Sequence, residues 1–355
     1  MGDAVDKSLV ISIDAMGGDH GPSVVVPAVA LAASQATNGV RFLLHGDEAQ
    51  LAAGLERRPD LKSRVEIRHT ATVVAMDEKP AQALRRSKGT SMWNAVECVK
   101  TGEAHAAVSA GNTGALMAIS KLQLRMSVDI ERPPLVVAWP TVKGVSTVLD
   151  VGANVDCDAE RLVEFAILGE AFHRAAHGVA RPTVGLLNVG SEDMKGHEEV
   201  RQAHRILREG RFDLDYHGFV EGDDLTTGVV DVVVTDGFTG NVALKTAEGV
   251  ARFITAELRA ALTSTPLAMA GGFLAQNALR AFRDKMNPDP AAPLLGLNGV
   301  VVKSHGGATD KDFAAAIRVA CTLARSDYAA EIERNMRKLV AAVGESCPPA
   351  ADGAG

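Results

Sequence analysis

Val108-Ser109-Ala110-Gly111-Asn112-Thr113-Gly114-Ala115-Leu116-Met117-Ala118 reads as the end of a strand, a polar turn with two glycines, and the first turn of an apolar helix. Such a junction aims backbone N–H groups at an anion, because the first N–H groups of a helix have no carbonyl partner within it. The turn lacks the Lys-Ser or Lys-Thr that follows the last glycine of a P-loop, and the third glycine of a dinucleotide fingerprint. It predicts a βα unit that cradles a different anionic ligand.

The same pattern recurs along the chain. Leu9–Ile13 stops at Asp14-Ala15-Met16-Gly17-Gly18-Asp19-His20-Gly21-Pro22, and Arg41–Leu44 stops at His45-Gly46-Asp47. Thr147–Leu149 stops at Asp150-Val151-Gly152-Ala153-Asn154, and Val184–Leu187 at Asn188-Val189-Gly190-Ser191-Glu192. Val232–Val234 stops at Thr235-Asp236-Gly237-Phe238-Thr239-Gly240-Asn241, and Val300–Val302 at Lys303-Ser304-His305-Gly306-Gly307. Most of these runs precede an Ala- and Leu-rich helical pattern. The chain therefore reads as α/β, a Rossmann-like α/β/α sandwich with a mostly parallel sheet. Ligands bind such folds beyond the carboxyl ends of the strands, so Asp14, Asn112, Asn154, Asn188, Asp236 and His305 are expected to converge.

Two late segments read as packing helices. Val250, Ile254, Leu258 and Leu262 recur every four residues, and Ile317, Cys321 and Ala324 follow a polar Thr309-Asp310-Lys311-Asp312 start. Between them, Pro266 to Pro293 combines Leu267, Met269, Phe273, Leu274 and Phe282 with Arg280, Arg283 and Lys285. That basic amphipathic composition suits a membrane surface or a dimer contact. The domain expectation is one α/β catalytic domain over 8–343 with a cleft, a projecting helical segment around 264–293, and a disordered tail over 344–355.

The 355 residues suffice for a large core, and 46 % apolar against 4 % aromatic content describes one built of Ala, Val, Leu and Ile. A formal net charge of −7 argues against nucleic-acid binding, which needs Lys and Arg to neutralise phosphates. Cys98, Cys157, Cys321 and Cys347 form no C-x-x-C pair, which fits a reducing compartment and neither zinc nor disulfides. Met1 to Lys7 is polar and carries no secretory pattern, and no apolar run reaches a membrane span, so a cytoplasmic protein is expected. His197 and His204 lie seven apart, which is not a metal-pair spacing, and read as solvated.

Taken in order, Ile13–Pro22, Ser109–Leu116, Leu149–Asn154, Thr235–Asn241 and Lys303–Gly306 closely resemble the bacterial phosphate acyltransferases of phospholipid synthesis, over roughly Leu9 to Ala342. The resemblance implies transfer of a long-chain acyl group from acyl carrier protein to inorganic phosphate, with no cofactor and no metal. The acyl phosphate would pass to a membrane glycerol-3-phosphate acyltransferase. It further implies a homodimer with a fold similar to phosphotransacetylase and the isocitrate and isopropylmalate dehydrogenase group, cytosolic but able to touch the membrane around 266–285. Two other functions fit less of the pattern: phosphotransacetylase-like chemistry on acyl-coenzyme A, and a membrane-associated scaffold for acyl carrier protein.

Phosphate is already an anionic nucleophile at pH 7 and a thiol of pKa about 8.5 leaves readily, so the reaction needs positioning and charge stabilisation more than covalent help. The turn Gly111-Asn112-Thr113-Gly114 is the candidate phosphate cradle, with Lys195, Lys245 or Lys303 as the cation. Asn112 or Asn241 would stabilise the oxyanion, and Asp14 and Asp236 would orient these donors. His20 and His305 are candidates to protonate the leaving sulfur or to pair with phosphate. Gly17, Gly18 and Asn154 complete the candidate substrate loops. Cys157 reads as a packing residue. For an acidic carrier protein, Arg85, Arg86 and Lys88 form the basic patch, ahead of Arg57 and Arg58.

Overall fold

The computed structural model describes residues 8–35, 39–126, 132–210, 212–286 and 291–326, together with Ile332 and Arg337. The expected tail over 344–355, the end of the expected domain and Cys347 lie outside the described residues.

The strands divide between two sheets. The first contains β1 (Leu9–Asp14), β2 (Val40–Gly46), β3 (Val65–His69), β4 (Ala106–Ser109), β10 (Ala292–Pro293) and β11 (Val300–Lys303) in the order β10-β11-β4-β1-β2-β3. The second contains β5 (Val136–Pro140), β6 (Val145–Leu149), β7 (Thr183–Leu187), β8 (Asp215–Val220) and β9 (Val232–Val234) in the order β5-β6-β9-β7-β8. Pairing is parallel throughout except for β10 against β11 and β5 against β6, both at a sheet edge. Val-rich strands covered on both faces are what a parallel sheet requires.

In the first sheet the alternation of side chains decides where the polar chemistry lies. Ile11, Ile13, Phe42, Leu44, Val108 and Val302 point into a core shared with α1 (Pro22–Gln35) and α12 (Asp310–Arg325). The alternate residues Ala107 and Val301 point to the opposite face, toward α4 (Ser91–Lys100) and α5 (Thr113–Leu124). Ser12, Asp14, His45, Ser109 and Lys303 share that second face by the same alternation.

The second sheet packs on α6 (Ala159–His177), whose Phe165, Ile167, Leu168 and Phe172 are buried, and on α7 (Glu198–Glu209). α12 joins the two halves: Ile317 belongs to the first core and Leu323 to the second. Its start follows the sequence expectation, since Thr309 and Asp312 close a reciprocal capping box. The remaining helices are α2 (Glu48–Glu56), α3 (Pro80–Arg86), α8 (Asp224–Thr227), α9 (Gly237–Thr263), α10 (Pro266–Leu274) and α11 (Gln276–Met286).

Two expectations need correction. The four-residue periodicity in α9 does form a helix, but most of it does not pack: Val250, Ile254 and Leu258 are exposed, as is Phe253 beside them, and Leu262 is half-buried next to Gly272 of α10. His204, expected to be solvated, is buried, stacked on Phe219 and hydrogen-bonded through Nδ1 to the Tyr216 hydroxyl at 2.8 Å. The helix period placed it on the inner face of α7, beside Ala203 and Leu207.

Candidate functional site

The loops at the carboxyl ends of the first sheet are tied to one another. Asp19 N donates to the Gly306 carbonyl at 2.9 Å, and Ser304 N to the Ser109 carbonyl at 2.9 Å. A Cβ on Gly17 would lie 2.5 Å from Asp14 Oδ2, and one on Gly18 would lie 2.9 Å from the Gly306 carbonyl. Gly18 also has φ +86°, a conformation that a side chain resists. These two glycines are dictated by close approach of loops to the Asp14 carboxylate and to the β11 loop.

Asp14 is fully buried and its carboxyl is pushed up by that burial, against the hydrogen bond from Ser109 that pulls it down. Lys303 is buried as well. Its Nζ donates to the Ala110 carbonyl at 3.2 Å and to the Ser304 carbonyl, and burial lowers it to about 8 against the opposing charges of Asp14 and Asp19. At pH 7 most of this lysine is a cation, held directly behind the Gly111 turn. Lys195 and Lys245 have other company: Lys195 Nζ lies 3.6 Å from Glu192 and Lys245 Nζ 3.0 Å from Glu248, all at the surface.

The Gly111 turn is built more tightly than a simple cradle. Gly111 N donates to Ser109 Oγ at 3.0 Å. Asn112 is the N-cap of α5, its Oδ1 accepting from Ala115 N at 3.0 Å, while its Nδ2 donates to the carbonyls of Met76 at 2.9 Å and Glu78 at 2.8 Å. A Cβ on Gly111 would meet Met92 Cε at 2.4 Å, and one on Gly114 would meet Pro80 Cγ at 2.4 Å. The first-turn amides of Thr113 and Gly114 have no carbonyl of their own helix to donate to. His305 and His20 border these loops and are exposed, His305 Nδ1 accepting from Gly307 N at 3.1 Å.

A second group of candidates sits at the carboxyl edge of the other sheet. Asp150 is its hub, fully buried, with Oδ1 accepting from Leu135, Gly152 and Ala153 N and Oδ2 from the backbone and side-chain nitrogens of Asn154. Asp236 caps α9, accepting from Thr239 N at 2.8 Å and its hydroxyl at 2.7 Å. Asn241 Nδ2 donates to the Val151 carbonyl at 3.0 Å, and Gly237 N to the Asn154 carbonyl at 2.7 Å. Asn154, Asp236 and Asn241 are thus brought together, while Asn188 closes a loop of its own onto the carbonyls of Gly190 and Lys195. Cys157 lies beside this group with its thiol pushed up to about 12 by burial and by Asp150 and Asp236, which leaves it protonated and packed.

The six loops are therefore divided between two sheet edges: Asp14, Asn112 and His305 on the first, Asn154, Asn188 and Asp236 on the second. Arg85, Arg86 and Lys88 are exposed at the end of α3 and just beyond it. Three buried residues stand in the quoted strand-end stretches but not among the candidate site residues, namely Ser109, His45 and Asp150; their position is visible in the sequence, while their partners come from other strands and loops.

A family model described as fatty acid synthesis protein matches residues 9–331. A phosphate acyltransferase of Phenylobacterium zucineum is 70 % identical over 348 residues, covering 98 % of this chain and 99 % of that protein. A phosphate acyltransferase of Caulobacter vibrioides is 66 % identical over 339 residues, covering 95 % and 94 %. Among solved structures, a phosphotransacetylase from Streptococcus pyogenes superposes with a TM-score of 0.62 at 17 % identity, covering 89 % of this chain and 94 % of that one. The last comparison speaks for the fold.

Proposed function

The chain belongs to the phosphate acyltransferase family, and on that premise we propose that it transfers a long-chain fatty acyl group from the thioester of acyl carrier protein to inorganic phosphate. A phosphate oxygen attacks the thioester carbonyl, the new C–O bond forms as the C–S bond breaks, and the proton of hydrogen phosphate ends on the departing thiol. The products are an acyl phosphate and free carrier protein. An acyl phosphate is a reactive mixed anhydride, and the family resemblance implies that it passes to a glycerol-3-phosphate acyltransferase at the membrane.

The observation that carries the site reading is the buried Lys303 ammonium seated on the Ala110 carbonyl, one residue before the Gly111 turn. A desolvated cation beside the first-turn amides of Thr113 and Gly114 suits a phosphate dianion. Lys195 and Lys245 support this role less well, since each has a carboxylate partner. Asn112 supports the site as an anchor of the turn, because its oxygen and amide protons are already engaged. The Asn154, Asp236 and Asn241 group and the histidines His20 and His305 remain candidates for the thioester side.

Carrier docking at Arg85, Arg86 and Lys88 is supported by their exposure and by the acidity expected of the partner. The exposed apolar side of α9, with Val250, Phe253, Ile254 and Leu258, supports a homodimer. On α10 and α11, exposed Leu267, Met269, Phe273 and Leu274 beside Arg280 and Lys285 support peripheral contact with an anionic membrane surface. No described helix is long and apolar enough to cross a membrane.

The test is thiol release from palmitoyl-acyl carrier protein with and without phosphate, with detection of acyl phosphate, and palmitoyl-coenzyme A run in parallel. Phosphate-dependent release with stoichiometric acyl phosphate is expected from the carrier protein. Faster turnover of the coenzyme A thioester would move the reading to a phosphotransacetylase-like enzyme, and carrier binding without release would move it to a scaffold.

A further inference from the structure

Lys303, Ser109 and Asp14 end three adjacent strands, His45 is the last residue but one of a fourth, and the four are paired in register, Lys303 with Ser109, Ser109 with Asp14, and Asp14 with His45. Residues paired across parallel strands send their side chains to the same face, so a cation, a hydroxyl, a carboxylate and an imidazole stand in one row. All four are at most 7 % exposed. Such a row inside a sheet of Val, Ile and Ala is costly unless its members satisfy one another.

Ser109 is the link in that row. Its hydroxyl donates to Asp14 Oδ2 at 2.7 Å, which commits its single proton, and its lone pairs face Gly111 N, which donates to it at 3.0 Å. The carboxylate therefore orients the hydroxyl and the hydroxyl orients the amide of the turn. On the other side of Ser109 in the row, Lys303 holds the carbonyl of Ala110, the residue between Ser109 and Gly111. Both ends of the peptide that enters the turn are thus fixed from below, one by a cation and one by a hydroxyl.

We propose that Ser109 is a positioning residue for the phosphate nucleophile, holding the Gly111–Gly114 turn in place above Lys303 without touching phosphate itself. The proposal rests on the reading that phosphate lies between this turn and Lys303. Loss of the hydroxyl leaves the Gly111 N–H and one Asp14 oxygen unpaired in a buried place, and the turn must move to find them water. The nucleophile is misplaced while Asn154, Asp236 and Asn241, the thioester-side candidates on the loops of the other sheet, keep their hydrogen bonds.

The experiment compares wild type, Ser109→Ala and Ser109→Thr, measuring KM for phosphate, KM for the acyl thioester, kcat and thermal unfolding. Phosphate-dependent turnover of the wild type is established first, since its absence defeats the functional reading and not only this one. Ser109→Ala is expected to raise KM for phosphate about tenfold or more, with KM for the thioester within about twofold of wild type. Ser109→Thr, which keeps the hydroxyl, is expected to recover most of that loss. An unchanged KM for phosphate in Ser109→Ala, or equal changes in both KM values, overturns the proposal. If Ser109→Ala does not fold, Ser109→Cys fills the space with a weaker donor and is read by the same criterion: raised KM for phosphate alone supports it, anything else overturns it.

Discussion

Asn112 Nδ2 donates to the carbonyl of Glu78 at 2.8 Å while its Oδ1 caps α5 at Ala115 N, so one side chain fastens the 75–79 segment to the helix start. Replacing an N-cap Asn by Ala costs about 1 kcal/mol, and here the carbonyls of Met76 and Glu78 lose their donor as well. Asn112→Ala is expected to lower stability by about 1–2 kcal/mol in urea unfolding. It should also speed amide exchange across 75–79. Unchanged stability with lost turnover would return Asn112 to a direct role on the oxyanion.

Gly111 and Gly114 are explained by what sits over them. A Cβ at either position would lie 2.4 Å from a neighbour, Met92 Cε for Gly111 and Pro80 Cγ for Gly114. Overpacking of this kind costs about 1–3 kcal/mol. Gly111→Ala should be the milder change, because the Met92 methyl is the end of a flexible chain, whereas the Pro80 ring is rigid. Shortening the neighbour is the check: Met92→Val combined with Gly111→Ala should recover part of the lost urea midpoint, as should Pro80→Ala with Gly114→Ala.

Seven strand runs read from the sequence are strands β1, β2, β4, β6, β7, β9 and β11, since each is apolar and ends in a polar turn. The strands that went unread are of a different kind. Glu66 and Arg68 interrupt β3 at a sheet edge, and Asp215, His217 and Gly218 dilute β8, so neither carries an apolar run, while the apolar Val136–Trp139 of β5 ends in Pro140-Thr141 rather than in a Gly, Asp, Asn or His turn. The partition into two sheets was equally hidden, because it depends on which strands pair across the fold, β4 with β1 and β11 but β9 with β6 and β7, rather than on any local signal. At the site, the glycine loops and Lys303 were legible as motifs. Ser109 and His45 were not, because a hydroxyl or an imidazole in a strand declares its role only through its cross-strand neighbours.

The exposed apolar residues of α9 and α10 should separate by function. Phe253→Asp, at the middle of α9, is expected to convert a dimer to a monomer in sedimentation equilibrium, through a charge placed in an apolar contact. Leu274→Glu, in α10, is expected to weaken sedimentation with anionic vesicles and to leave turnover of soluble acyl-carrier substrate near wild type. A dimer that survives Phe253→Asp would place the interface on another face, and vesicle binding that survives Leu274→Glu would remove α10 from the membrane contact.

Acid stability should depend on His173, which is buried on α6 with Nδ1 at 2.9 Å from Thr147 Oγ1 and Nε2 4.0 Å from Asp231. Burial lowers it to about 4, His177 adds to the lowering, and Asp231 opposes it. The unfolded chain therefore binds a proton near pH 6.5 that the folded chain refuses until about pH 4. By linkage this imidazole contributes stability above pH 6.5 that is lost as pH falls through that window, about 3 kcal/mol in all. Glu164, pushed up to about 7 by burial, has the opposite slope between its ordinary value and that pH, so the whole-protein profile mixes the two. The difference between wild type and His173→Gln isolates the histidine. The gap in unfolding free energy should be widest at pH 7 and should narrow toward pH 4.5; a gap constant across that range would show that His173 does not titrate on unfolding.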